Sequence, residues 1–283
     1  MHHQTQPSAA RVPTRHKGFT YAAALLIVLL GLAWRAQPDN RLHVSFLQTD
    51  GDAVLVQTPD GKYMLIDGGD PIGITAALGR ALPFWRRSLD AVVLTAPDPA
   101  YTAGQVAVLA RYQARIVLAP PLAAQNNPLP EWRSALDEQA VPIHSMRAGE
   151  QTNIGGVTLR VLASGDGKKR GAVLRLDYGS TSVVFCQSSA EEDEASLARN
   201  NQLHAATLVA FPWQRDPHTP LIEALQPQAM VLTDGHHALP PYEATMAERR
   251  VGNARLYHKD VQGTIEWISD GTRSWVSTDN AQQ

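Results

Sequence analysis

Cysteine is almost absent: Cys186 is the only one in 283 residues. A lone thiol excludes an intramolecular disulfide framework. It sits in the apolar run Ser182-Val183-Val184-Phe185-Cys186, which reads as a strand. A buried, inert thiol is expected there, because reactivity needs a nearby cation or helix N-terminus. The interior also has no Gly-, Ser- or Pro-rich linker long enough to separate two cores, and no internal repeat, so one large domain is expected. Clustered positive charge is scarce. The run Lys168-Lys169-Arg170, flanked by Gly165 and Gly167, reads as a solvated hairpin tip. Ser188-Ser189 has no triad partner at recognisable spacing, which removes the support for a serine hydrolase.

What charge there is falls unevenly. Leaving histidine aside, Arg11, Arg15, Lys17 and Arg35 are the only charged residues among the first thirty-five, and without them the chain has 21 basic against 27 acidic residues. Non-specific nucleic-acid affinity comes from Lys and Arg displacing counterions, so an acidic body is not expected to bind nucleic acid strongly.

With 44% hydrophobic and 18% charged residues, the composition is that of a globular protein with a sizeable core. Residues 1–18 begin with a stretch rich in Gln, Pro, Ser and His and read as a disordered tail. Residues 19–35 read as a single transmembrane anchor. Phe19 to Trp34 carries no charge, Tyr21 and Trp34 suit the interfaces, and Lys17 and Arg35 flank the span. A cleaved signal peptide is the competing reading, but cleavage after Ala36 would put the bulky Trp34 where a small residue is wanted. The basic residues before the span favour a cytoplasmic N-terminus and a C-terminal domain outside, tethered to the cell membrane. Residues 36–40 would be a linker and 41–280 the domain.

Within that domain, short runs rich in β-branched residues predict strands. Leu42–Leu47, Ala53–Gln57 and Tyr63–Asp67 open it as a meander, with a tight turn at Pro59-Asp60-Gly61-Lys62. Helices over Ile72–Leu82 and Ala103–Tyr112 alternate with strands at Ala91–Thr95 and Arg115–Ala119. A second set follows: strands at Val157–Leu162, Ala172–Tyr178, Ser182–Cys186, Thr207–Phe211 and Ala229–Thr233, with helices at Glu191–Arg199, Leu221–Leu225 and Tyr242–Arg250. Strands at Ala254–His258, Thr264–Ile268 and Arg273–Val276 close the chain. Two such halves fit an α/β protein of two packed sheets flanked by helices.

The runs Gly51-Asp52-Ala53-Val54-Leu55-Val56-Gln57-Thr58-Pro59-Asp60-Gly61-Lys62, Leu65-Ile66-Asp67-Gly68-Gly69 and Leu89-Asp90-Ala91-Val92-Val93-Leu94-Thr95 carry a further signal. This pattern resembles the metallo-β-lactamase-like domain of the ComEC-type proteins of competence and DNA uptake. The resemblance reappears over Ala172 to Phe185. It implies a four-layer αβ/βα sandwich with its site at one edge, where loops of both halves meet. The family's first metal loop reads Thr-His-x-Asp-x-Asp-His-x-Gly-Gly; here it is Thr95-Ala96-Pro97-Asp98-Pro99-Ala100-Tyr101-Thr102-Ala103-Gly104. The next ligand region is Gln187-Ser188, the Pro-His-His-Gly segment is Pro212-Trp213-Gln214-Arg215, and the late Gly-His-Pro segment corresponds to His236-His237-Ala238-Leu239-Pro240-Pro241. The resemblance therefore implies vestigial metal positions at Ala96, Asp98, Ala100, Tyr101, Gln187, Ser188, Trp213 and Gln214.

Zinc needs imidazole and carboxylate ligands to bring its water to a pKa near ~7, so no cofactor, and zinc in particular, is expected. The leading expectation is a non-catalytic domain acting through an unknown protein or small-molecule partner. The alternative is a divergent metal-dependent phosphodiesterase or nuclease using retained aspartates, or an accessory factor in DNA uptake. A residual site would draw on Asp52, Asp67, Asp98, His236 and His237. Asp67 is also suited simply to ordering the Gly68-Gly69 turn. Tyr101 and Trp213 would either line a cleft or fill it. His258 reads as isolated, and either structural or exposed.

Overall fold

The computed structural model describes Tyr21 and residues 37–122, 129–165, 171–200, 203–235, 246 and 249–280. The anchor expected over 19–35 lies outside these residues but for Tyr21, as do His236 and His237, the Lys168–Arg170 run and most of the helix expected over 242–250. Among the described residues no helix is long and apolar enough to cross a membrane. The chain divides into two compact units, Met1–Gln37 and Pro38–Gln283; the following concerns the second.

Its first half contains β1 (Leu42–Phe46), β2 (Ala53–Gln57), β3 (Tyr63–Asp67), α1 (Pro71–Ala81), β4 (Ser88–Leu89), β5 (Ala91–Val93) and α2 (Pro99–Leu109). It continues with β6 (Gln113–Ala114), β7 (Val117–Ala119), α3 (Pro130–Glu138) and β8 (Ile143–Ser145). The second half runs β9 (Gln151–Ile154), β10 (Val157–Ala163), β11 (Val173–Tyr178), β12 (Thr181–Phe185), α4 (Glu191–Arg199), β13 (Leu208–Pro212), α5 (Pro220–Leu225) and β14 (Ala229–Thr233). It ends with β15 (Arg255–Tyr257), the one-turn helix α6 (Lys259–Gln262), β16 (Ile265–Ser269) and β17 (Ser274–Thr278).

One sheet has the order β17-β16-β1-β2-β3-β5-β7-β8 and the other β15-β14-β13-β12-β11-β10-β9, with β4 and β6 forming a separate two-stranded pair. In each sheet an antiparallel meander gives way to parallel strands. After β15 the chain returns to the first sheet, where β16 pairs with β1 and β17 pairs with β16 as the edge strand.

Three apolar clusters define the layers. Strand side chains alternate between faces, so along β3 Met64 and Ile66 enter the cluster between the sheets while Leu65 packs on the helical side. Along β12, Val183 and Phe185 likewise face the opposite sheet and Val184 faces helices. The order is helix, sheet, sheet, helix. Each fully buried Leu, Val or Phe contributes roughly 1.5–3 kcal/mol, so a charge at Ile66 or Val183, both fully buried, would disrupt both sheets at once.

Helix starts follow a local rule. Asp70-Pro71, Asp98-Pro99 and Thr219-Pro220 each place an oxygen acceptor at the N-cap and proline in the first turn. α2 consequently begins at Pro99, four residues before the expected start. Helix α3 and strands β8 and β9 were not expected. In α3, Trp132 and Leu136 are buried one turn apart, and the Trp132 indole donates to Gln105 Oε1 at 2.7 Å. That tertiary contact decides a segment whose own pattern is weak.

Candidate metal centre at the edge of the two sheets

The loops at one edge of the sandwich are tied across the two sheets by buried polar groups. Asp67, at the end of β3, adopts a left-handed backbone conformation with φ 57°. Its carboxylate accepts from Thr95 N at 2.8 Å, Thr95 Oγ1 at 2.7 Å and Gln187 Nε2 at 3.0 Å. Burial pushes its pKa up to about 7, against the lowering effect of those bonds. The following glycines permit close approach: a Cβ on Gly68 would lie 2.5 Å from Gln105 N, and one on Gly104 would lie 2.0 Å from Gly68 O. The β3 turn therefore packs directly on α2.

Asp52 is held equally firmly. It accepts from the backbone N–H groups of Asp234 and Gly235, both at 2.9 Å, so an aspartate of the first sheet fixes the loop that leaves β14. Burial raises its pKa to about 6; the charge of Asp234 adds to the rise, and Lys259 opposes it. Asp98 caps α2 by accepting from Ala100 N at 2.8 Å. Each of the three retained aspartates thus has donors of its own.

The other expected positions are placed as follows. Ala96 is buried among apolar side chains, and Ala100 opens α2. Tyr101 is fully buried; its hydroxyl faces the Gln187 carbonyl at 3.4 Å, so it packs the core and is not a cleft wall. Gln214 donates to the Asp234 carbonyl at 2.7 Å. Trp213 is half-buried between the Arg249 guanidinium, 4.4 Å above its ring, and the edge-on ring of His258 at 6.1 Å. Cys186 is buried, and burial raises its thiol well above its ordinary pKa, in keeping with the inert thiol expected from the sequence.

A different group converges where β14 and β15 end. Asp234, His258 and Asp260 each offer a ligand atom within 4.8 Å of the others. His258, expected to be isolated, is fully buried, with Nε2 3.4 Å from Asp234 Oδ1 and Nδ1 3.9 Å from Asp260 Oδ2. Nδ1 also accepts from Asp260 N at 3.2 Å, capping α6. The Lys259 ammonium lies 2.5 Å from Asp234 Oδ2. Burial pushes the Asp234 pKa up, but the His258 bond and the Lys259 charge outweigh it and leave it lowered.

Three buried polar atoms at this edge, Gln187 Oε1, Ser188 Oγ and Thr233 Oγ1, have no hydrogen-bond partner within the protein, and Asp234 Oδ1 and His258 Nε2 have only each other, at 3.4 Å. They lie at or just beyond the carboxyl ends of β12, β14 and β15. Buried polar atoms in native proteins are almost always paired, with protein groups, ordered water or an ion. Asp234 also borders an open cleft of about 280 Å³, lined by Asp50, Gly51, Asp70, Pro99 and Gly235 among others.

No family profile and no curated protein matches the chain by sequence. Solved structures do match, and they define the architecture: this is the metallo-β-lactamase fold. The metallo-β-lactamase fold protein YhfI of Bacillus subtilis is similar at TM-score 0.55 and 12% identity, over 83% of this chain and 99% of that one. A diphosphatase of the PhnP family is similar at TM-score 0.52 and 15% identity, over 81% and 98%. Zn(2+)-bound PqqB of Methylobacterium extorquens is similar at TM-score 0.51 and 14% identity, over 74% and 85%. The chain spans about half the length, 53%, of CmlA, a diiron β-hydroxylase from Streptomyces venezuelae that it also resembles at TM-score 0.51 and 11% identity.

The expectation of a chain without a metal cofactor is therefore corrected. Metal-bearing proteins share this fold, and three ligand-type side chains converge here. The sequence groups Asp234 with its neighbours His236 and His237 as possible ligands and does not connect it to His258, Lys259 and Asp260, which are far from it in the chain. The available signal was topological. β14 and β15 are parallel, with Val231 opposite Tyr257, so residues following both strands emerge side by side at their carboxyl ends, where open α/β sheets place ligands.

Proposed function

We propose that this chain is a divalent-cation-dependent hydrolase of small phosphoesters, working at Asp234, His258 and Asp260. The observation that carries the reading is the convergence of those three side chains around the fully buried His258 ring. Two carboxylates and an imidazole are a donor set for Mn²⁺, Zn²⁺ or Fe²⁺. The cation, when bound, supplies Lewis-acid polarisation of a phosphoryl oxygen. The protein's own groups do the rest. Asp52 fixes the backbone of the Asp234 loop, Lys259 holds Asp234 Oδ2 so that Oδ1 faces His258, and the adjoining cleft admits the substrate. That cleft is lined by Asp50, Asp70 and Asp234, which together with the acidic body favours small substrates over polynucleotides.

The family's own ligand loops do not fit a metal in this chain. Ala96 and Ala100 lack donors, Gln187 bonds Asp67, and Tyr101 is packed in the core. We read the metal position as moved to the β14 and β15 ends, in a divergent relative of the ComEC-type domains. We further propose that residues 19–35 tether the domain to the membrane, with the domain outside the cytoplasm.

The test is elemental analysis of the purified protein, joined to hydrolysis of bis(p-nitrophenyl) phosphate with Mn²⁺, Zn²⁺ or Fe²⁺. About one equivalent of metal, lost in Asp234→Ala and His258→Ala together with turnover, is the expected result. A folded wild-type protein that takes up no cation would sink the proposal. A second reading, a binding domain whose cation is structural, draws support from the ammonium already seated on Asp234. Stoichiometric metal without turnover on any phosphoester would favour it.

A further inference from the structure

We propose that Lys259 is a tethered cation that limits this centre to a single metal ion. The inference rests on the reading of Asp234, His258 and Asp260 as cation ligands. Lys259 is buried, and the contacts of its ammonium are all oxygens: Asp234 Oδ2 at 2.5 Å, the Gly51 carbonyl at 2.5 Å, and the Thr49 carbonyl. Two backbone carbonyls and a carboxylate form the type of cage that hard cations take. To reach it, the side chain crosses from the end of β15 to the loop between β1 and β2, joining the two sheets. Asp52 adds charge beside the cage, since it holds the N–H groups of Asp234 and Gly235.

Asp234 then divides its two oxygens. Oδ2 is committed to the ammonium, while Oδ1 faces Nε2 of the fully buried His258 at 3.4 Å. In two-metal hydrolytic sites a pair of cations stabilises the attacking and leaving oxygens together. Here one of the two positions around Asp234 is filled by the protein's own side chain. Shortening that side chain vacates an oxygen cage suited to Mn²⁺ or Ca²⁺. Lys259 is buried behind Thr49 and Gly51, so it is a positioning residue and not one that touches substrate.

The experiment is calorimetric titration with Mn²⁺ and with Ca²⁺, backed by elemental analysis, on the full chain and its Lys259→Ala and Lys259→Met variants. The expected stoichiometry for Mn²⁺ is one in the wild type, two in Lys259→Ala, and one in Lys259→Met, whose thioether chain refills the cage without charge. One ion in both wild type and Lys259→Ala overturns the placeholder role while leaving the metal centre standing. No ion in the wild type but one in Lys259→Ala keeps the placeholder and overturns the centre; none in either overturns both. If Lys259→Ala does not fold alone, a larger recovery of its folding by Mn²⁺ or Ca²⁺ than of Lys259→Met supports the inference, and equal or no recovery overturns it.

Discussion

The two sheets each deliver a buried aspartate to the same edge of the sandwich, and the two are treated differently. Asp67, at the end of β3, is saturated by neutral donors, with two bonds from Thr95 and one from Gln187. Asp234, at the end of β14, is surrounded by ionisable groups, with Lys259 on one oxygen and His258 facing the other. Burial alone raises an acid's pKa, and Asp67 follows that rule, whereas the charges around Asp234 reverse it. A carboxylate closed by neutral donors is a fastening. One kept ionised among charged and ligand-type groups is suited to a cation.

The largest expected effect comes from removing the charge that separates the two environments. Lys259→Met leaves Asp234 beside Asp52 with only His258 facing it, and breaking such a buried pair costs about 3–5 kcal/mol. Urea denaturation of the variant measures this, and a loss under 1 kcal/mol would place Lys259 among weak surface pairs. Asp234→Asn should then relieve part of the loss in the double variant, because the stranded charge is gone.

Second in size is the pH dependence of the Asp67 fastening. Its folded pKa is raised to about 7, so the folded state holds a proton that the unfolded chain releases near ~4. The associated stability is fully present below that unfolded value and is lost as pH rises through about 7. Asp52, raised to about 6, acts in the same sense. Asp67→Asn removes one contributor. Its amide donates to Gln187 Oε1, which is buried and unpartnered, once the Gln187 amide turns over. Between pH 5 and 8 the variant should lose less stability than the wild type by roughly 2 kcal/mol. Parallel pH profiles for the two would show that Asp67 is ionised throughout.

The smallest effect belongs to Asp98. As the cap of α2 it is worth about 1 kcal/mol, so Asp98→Ala should lower the denaturation midpoint slightly and leave metal stoichiometry unchanged. Loss of bound metal in that variant would return Asp98 to the ligand set and erase the contrast between the two sheet edges.

Much of the architecture was legible because it is written in local periodicity. Alternating apolar residues such as Met64, Leu65 and Ile66 must face opposite sides of a strand, and the Asp52, Asp67 and Gly68-Gly69 pattern located the sandwich and its edge. Helix α3 was not legible, since Trp132 and Leu136 acquire meaning only against Gln105 and the rest of their core. Tyr101 was equally open, and its burial against the Gln187 carbonyl settles it as packing.

The residues 42–67 and 172–186, read alone, determined strands of two sheets of this fold, because strand patterns are local. Only the tertiary structure decided that Asp234 meets His258, Lys259 and Asp260. Parallel pairing of β14 with β15 unites residues more than twenty positions apart, and burial then turns an unremarked His-Lys-Asp run into a centre of interacting charge.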